Sequence, residues 1–333
     1  MLTMCSKWLM IGLAVLGSVT LGGVSAHATD KPGAGLKICI SLDKVNSSRE
    51  GQLRLWRAAA QELGVSKLIV EVANEDAQRQ SSQIDTCIAQ GVSGIIDIPW
   101  DYEAVLQDIT RARAAHVPLV TMDQAPADIS TVDFFAGSDP YADGLHAAEQ
   151  LVKLVGDKSI KVADIQGALS QYNGIERDKG FKAGIKGHSN IRIVAEIPTD
   201  WHPEPALAGM ENALEANPDL GAVFSASDGM LPPVWSALQK VGRYAKVGAP
   251  NHVIVLSVDG DPQGCAGVRE GYMDVGVAQP FALMTYDTIK VIIDMAKTGK
   301  GPTGANRILR IPGVIYTPAN FAQTSAKVWG CSE

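Results

Sequence analysis

The signatures of the common enzyme classes are missing. The chain has no GxSxG elbow, no HExxH pair, no Walker A loop and no GxGxxG turn. That removes the usual serine hydrolase, zinc protease, nucleotide hydrolase and dinucleotide-binding readings. Histidines are few and scattered. His116 stands before Pro118 at a helix end and His146 lies within a helix, so both read as surface or capping residues. No CxxC and no Cys/His cluster with zinc spacing occurs, so neither a metal site nor a cofactor is expected. No polybasic block is present, and the formal net charge of −7 argues against a nucleic-acid partner. Beyond residue 24 no apolar stretch reaches membrane-spanning length.

The one long apolar run, Trp8 to Val24, follows Lys7 and precedes Ala26-His27-Ala28. A single basic residue, an apolar run and a small-x-small site read as a secretory signal peptide over residues 1–28, cut before Thr29, with an uncleaved membrane anchor as the alternative that the Ala-x-Ala site disfavours. An exported chain is permitted disulfides. Cys39, Cys87, Cys265 and Cys331 remain after the cut. Cys265, at a helix start, and Cys331, in the tail, are the first pair to test. Cys39 in a strand and Cys87 on an apolar helix face read equally as a bridge or as buried thiols.

What the chain does have is apolar strands that end in carboxylates. Val253 to Asp259 is a Val-rich run of the kind buried on both faces of a parallel sheet, and Asp261-Pro262 opens a helix directly after it. Val117 to Asp123 has the same form. Strands at Leu36–Leu42, Lys67–Ala73, Gly94–Ile98 and Val132–Ala136 alternate with helices at short spacing, and the alternation restarts at Ile160. This pattern means βαβ units and a parallel sheet. Gly91–Pro99 echoes Asp219–Asp228, and each precedes a strand ending in Asp. The expectation is therefore α/β: two doubly wound parallel-sheet lobes rather than one sheet of ten strands.

Ligands bind outside the carboxyl ends of strands in such sheets. The polar or flat residues expected there include Asn46, Ser48 and Arg49 in the loop Asp43–Glu50, Trp100, Asp123, Gln124, Gln171, Tyr172, Asn173, Trp201, Ser227, Asp228, Asp259 and Gln279. Carboxylates and amides bracket adjacent hydroxyls, and an indole face covers the C–H side of a sugar ring. Any one of them is more often a turn former or a cap, and Asp228 reads as the cap of the helix after it. Asp123 with Asp259 also has the composition of an acid/base pair.

The stretches VPLVTMDQ, VADIQGALSQYNGIERDKGF, LGAVFSASDGM, VIVLSVDGDPQG and MDVGVAQP stand in an order and spacing that resemble the ribose-binding-protein-like periplasmic sugar-binding proteins of ABC importers. The resemblance covers Leu36 to about Pro318. It implies a type I periplasmic binding fold with a three-strand hinge. The N-terminal lobe would be residues 36–138 plus 280–311, and the C-terminal lobe 139–279 plus 312–333. It also implies a monomer that captures a monosaccharide or polyol between the lobes and delivers it to a membrane permease.

Carried over by position, Asn46, Asp123, Asp259 and Gln279 match ligand residues, and Trp201 a stacking aromatic. Ser227 replaces an Asn. Ser48 and Arg49 stand where ribose binders have two Phe. Gln124 replaces an Arg and Ile175 another, so two cations are lost and one is gained. Asp123 and Asp259 against Arg49 leave the site near −1, which favours a neutral ligand over a sugar acid. A sensor component serving a receptor kinase or chemoreceptor has the same sequence features. A transcriptional regulator would need a DNA-binding segment where the signal peptide stands.

Overall fold

The computed structural model describes residues 31–332. The signal-peptide reading of 1–28 lies outside them. Two six-stranded sheets are built by the same winding rule. The first contains β1 (Lys37–Leu42), β2 (Lys67–Val72), β3 (Gly94–Asp97), β4 (Leu119–Met122), β5 (Phe134–Gly137) and, from far along the chain, β11 (Ile308–Arg310). Its order is β11-β5-β4-β3-β1-β2. The second contains β6 (Ile160–Gln166), β7 (Ile191–Pro198), β8 (Ala222–Ser225), β9 (Ile254–Asp259), β10 (Val275–Ala278) and β12 (Val314–Tyr316), in the order β12-β10-β9-β8-β6-β7. The segments that echo each other in sequence, around β3 and β8, hold the same place in their sheets. β12 pairs antiparallel with β10, whereas β11 runs parallel to β5.

Both faces of each sheet are covered, so the inner strands are mostly apolar, whereas the edge strands β2 and β7 carry charged residues and are only half-buried. In the first lobe Ile38, Ile40, Ile96 and Val120 pack with Trp56 of α1 (Ser47–Leu63) and Ile292 of α9 (Phe281–Thr298). The alternate residues Cys39, Ile95 and Leu119 pack with Ile84 of α2 (Ala77–Ala89) and Ile109 of α3 (Val105–Ala114). In the second lobe Val162, Phe224 and Leu256 meet Leu151 of α4 (Pro140–Val155) and Phe181 of α5 (Tyr172–Ile185). Ala163, Val223 and Val255 meet Met210 of α6 (Pro203–Ala216) and Val234 of α7 (Leu231–Lys240).

Helix starts follow local chemistry. Asn46, Asp76 and Asp139 each accept a backbone N–H of the first turn, and Asp261 caps α8 (Pro262–Glu270) through Gln263 and Gly264. The expected loop Asp43–Glu50 is shorter than read: with Asn46 as cap, α1 already begins at Ser47, so Ser48 and Arg49 are helical. Tyr141 and Val241 stand at helical spacing with core residues, yet both are exposed. β11, β12 and the turns after Tyr316 carry no clear periodicity in sequence.

The chain passes between the sheets three times, at 138–139, at 279–280 and at 311–313. Both disulfides form. Cys39–Cys87 ties β1 to α2, which resolves the bridge-or-thiol alternative, and Cys265–Cys331 ties α8 to the tail. That tether places Trp329 in the first lobe's core, against Phe281, while its Nε1 donates to the Asp259 carbonyl at 2.9 Å. The tail thus touches both lobes. Among the described residues no helix is long and apolar enough to cross a membrane.

Candidate functional site

The carboxyl edges of the two sheets face one cavity of about 280 Å³. Asp123 follows β4 and Asp259 ends β9, so each projects from a central strand of its lobe. Both have positive φ, 65° and 122°, a conformation costly for a side-chain-bearing residue. That the same strain recurs at both edges marks them as built for placement rather than for chain economy.

In the first lobe Arg49 is the organiser. Its Nε and Nη2 donate to the two oxygens of Asp43 at 2.8 and 2.9 Å, and its Nη1 donates to Asp123 Oδ2 at 2.6 Å. Asp123 Oδ1 accepts from Asn173 Nδ2 at 2.8 Å, across the cleft. In the second lobe Asp259 Oδ2 accepts from the Ser227 hydroxyl at 2.6 Å, and Oδ1 from Gln279 Nε2 at 2.8 Å. Arg177 Nη2 stands 2.9 Å from Asp259 Oδ1 without hydrogen-bond alignment. Its Nη1 donates to the Ala226 carbonyl, and its Nε has no acceptor. Asn173 Oδ1 is buried without a donor. Both arginines are almost wholly buried, with 5 % exposure for Arg49 and 2 % for Arg177.

Asn173 and Arg177 are four apart on α5 and so share a helix face. The helix sits close to α4 because Gly144 and Gly180 carry no side chain. A Cβ at either would strike the other helix's carbonyl oxygens, at Arg177 and Tyr141. Any side chain there would push both cleft residues out of place. Trp201 lies against Gly167, is held by its Nε1 bond to Gln171 Oε1 at 2.6 Å, and also has positive φ.

Further bonds cross the cleft. Gln124 Oε1 accepts from the Asn173 N–H at 3.2 Å, Gln171 Nε2 donates to the Trp100 carbonyl at 2.9 Å, and Ser47 Oγ donates to Asp261 Oδ2 at 3.1 Å.

Electrostatics differ between the edges. Burial pushes the Asp123 carboxyl up, but Arg49 and Arg177, with the bonds from Arg49 and Asn173, outweigh it and hold it below the usual carboxylate range. Burial and the nearby Asp259 push Asp261 up to about 7, despite its capping bonds. Asp228 is also raised well above the usual carboxylate range, by burial and by Asp261 and Asp259.

All of Asn46, Ser48, Arg49, Asp123, Gln124, Asn173, Trp201, Ser227, Asp259 and Gln279 line the cavity. Trp100, Gln171, Tyr172 and Asp228 do not. Asp228 is also not a helix cap. Ser227 caps the short turn that follows, and Asp228 Oδ2 instead accepts the backbone N–H groups of Gly260 and Asp261 at 2.8 and 2.9 Å. A carboxylate facing two converging N–H donors is better satisfied than one at a helix end.

Residues 44–301 match the family model described as periplasmic binding protein domain. The chain belongs to that family. This binding protein is 28 % identical to the ribose import binding protein of Escherichia coli K12 over 220 residues, 66 % of this chain and 71 % of that one. It is 29 % identical to the D-allose-binding periplasmic protein of the same organism over 72 % of this chain and 78 % of that one. It is 25 % identical to the D-apiose import binding protein of Paraburkholderia graminis, over 94 % of this chain and 95 % of that one. Among solved structures, a Caulobacter myo-inositol binding protein bound to myo-inositol superposes with TM-score 0.78 at 23 % identity, covering 87 % of this chain and 96 % of that one. A galactofuranose binding protein gives 0.79 at 20 % identity, covering 90 % and 100 %. These likenesses are of fold.

The sequence reading of this binding protein missed Asp43 and Arg177, which also line the cavity. Arg177, two residues past Ile175, adds a guanidinium beside Asp259 that the charge count from sequence leaves out. A signal for each existed. Asp43 directly follows β1, as Asp123 follows β4, and Arg177 lies one helical turn beyond Asn173.

Proposed function

We propose that this protein captures a small polyhydroxylated molecule, a monosaccharide or a polyol, between its two lobes and hands it to the membrane permease of an ABC importer. The observation that carries this reading is the cavity where both sheet edges meet. Its walls are planar carboxylate, amide and guanidinium groups from both lobes, with Trp201 at one side. Such groups bracket vicinal hydroxyls, and an indole covers a ring face. The buried Arg177 Nε and Asn173 Oδ1 have no protein partner, and ligand hydroxyls would satisfy them. Relatives named for ribose, allose and apiose support the ligand class.

The contacts to ligand are assigned to Asn46, Ser48, Arg49, Asp123, Gln124, Asn173, Trp201, Ser227, Asp259 and Gln279. Lobes 36–138 with 280–311 and 139–279 with 312–333 rotate about the three crossings. Ligand favours the state in which bonds such as Ser47–Asp261 are made, and the permease reads that state. The protein works as a monomer in the periplasm, reached through the N-terminal signal peptide, and performs no chemistry of its own.

A thermal-shift screen of monosaccharides and polyols tests the reading. Ligand at about 100 times its Kd adds roughly 2.7 kcal/mol by mass action, which raises the melting midpoint. A flat response across pentoses, hexoses and four- to six-carbon polyols, confirmed by calorimetry, would overturn it.

A further inference from the structure

We propose that Asp43 sets the charge of the ligand: by closing on Arg49 it makes the cleft select neutral polyhydroxylated molecules and reject sugar acids of the same skeleton. This rests on the reading above that the cleft holds a sugar or polyol, and names the residue that decides the ligand's charge.

Every cation lining the cavity has a carboxylate partner. Lys44 Nζ lies 2.9 Å from Glu75 Oε1, Arg177 Nη2 lies 2.9 Å from Asp259 Oδ1, and Arg49 bonds both Asp43 and Asp123. The Arg49 guanidinium is the one shared by two carboxylates. Its Nε and one Nη2 N–H go to Asp43, and its Nη1 goes to Asp123 and to Gln52 Oε1 at 3.3 Å. The fork with which an arginine grips a carboxylate is already occupied.

The two aspartates do different work. Asp123 faces across the cleft to Asn173 and retains acceptor capacity for a hydroxyl. Asp43 has less to offer, because it already accepts three bonds. Oδ1 accepts from the Lys44 N–H at 2.7 Å and from Arg49 Nε, and Oδ2 from Arg49 Nη2. Asp43 is 1 % exposed, so solvent and salt screen its charge far less than that of a surface carboxylate. It is a positioning residue: it acts on the ligand through Arg49. With Asp43 present, the first-lobe edge carries two carboxylates against one guanidinium. A third carboxylate, from a sugar acid, would be desolvated against that excess.

The test is calorimetry on matched pairs: ribitol with ribonate, xylitol with xylonate, arabinitol with arabinonate, galactitol with galactonate, and the corresponding aldoses. The wild type is expected to bind neutral members and not their acids. Asp43→Asn keeps the volume and an acceptor but removes the charge, and should raise the acid-to-neutral affinity ratio on the order of tenfold. Asp43→Ala also frees the guanidinium fork and should raise it further. Thermal melting checks folding, and where Asp43→Ala does not fold, Asp43→Asn carries the test.

A merely structural role would lower both members of a pair by one factor and leave the ratio unmoved. That result in a folded variant overturns the inference alone, as does wild-type protein that binds an acid as tightly as its polyol. Wild-type protein that binds no neutral and no acidic probe overturns the proposed function, and this inference with it.

Discussion

The two cleft edges carry the same device with different surroundings. Each presents an aspartate at the end of a central buried strand, at positive φ, beside a nearly buried arginine. At the first edge the arginine comes from the first turns of α1 and is shared by two carboxylates. At the second it comes from α5, meets one carboxylate, and keeps N–H groups without acceptors. The first edge therefore has acceptors in excess, and the second has donors to give. A polyol hydroxyl both donates and accepts, so it is the kind of group that the two edges satisfy together.

The comparison breaks most readily at Asp259. Asp259→Ala removes the acceptor of the Ser227 and Gln279 bonds and leaves the buried Arg177 without a carboxylate. Ligand binding should fall below detection by calorimetry, and urea unfolding should show a loss of about 3–5 kcal/mol. Asp123→Ala should abolish binding too, but cost less stability, about 1–3 kcal/mol, because Arg49 keeps both bonds to Asp43. Equal stability losses in the two variants would contradict the asymmetry. Wild-type affinity in both would remove the site assignment altogether.

The smallest effect separates the edges by pH. Asp123 is held below its ordinary value, so its contribution to stability is present above about pH 4 and is lost as pH falls through the lowered value. Asp261 is pushed up to about 7 by burial and by Asp259, so it has the opposite sign. The folded protein holds its proton more tightly than the unfolded chain, and stability declines as pH rises from about 4 through about 7. Asp261→Asn keeps an N-cap side chain. It should remove part of that decline, about 2–4 °C in melting midpoint, because burial raises Asp97 and Asp143 as well, and leave the loss below pH 4 in place. A profile unchanged above pH 4 would show that Asp261 does not titrate there.

What could be read along the chain was whatever is local. A strand buried on both faces must be mostly apolar, so the inner strands stand out, and the edge strands β2 and β7 keep enough Val and Ile to follow them. A helix must satisfy its first N–H groups, so Asp139-Pro140 and Asp261-Pro262 announce α4 and α8. A carboxylate that directly follows such a strand lies at the ligand edge, which gave Asp123 and Asp259, and the same rule applied to Leu42-Asp43 points to Asp43.

Tertiary structure decided what depends on partners far apart in the chain. β11 and β12 are three residues each, too short for periodicity, and exist only because β5 and β10 offer free edges. Asp228 looks like a cap in sequence, yet its carboxylate meets the Gly260 and Asp261 amides, folded back from β9. Trp329 reads as tail and sits in a core because Cys331 is tied to α8. The charge of the cleft is of the same kind. Composition supplies the aspartates and arginines, but which guanidinium is shared by two carboxylates is fixed by three elements converging. The reason is physical: hydrogen-bond capping and burial act over a few residues, whereas ion pairing in a dry cleft is set by distances that only the packed lobes define.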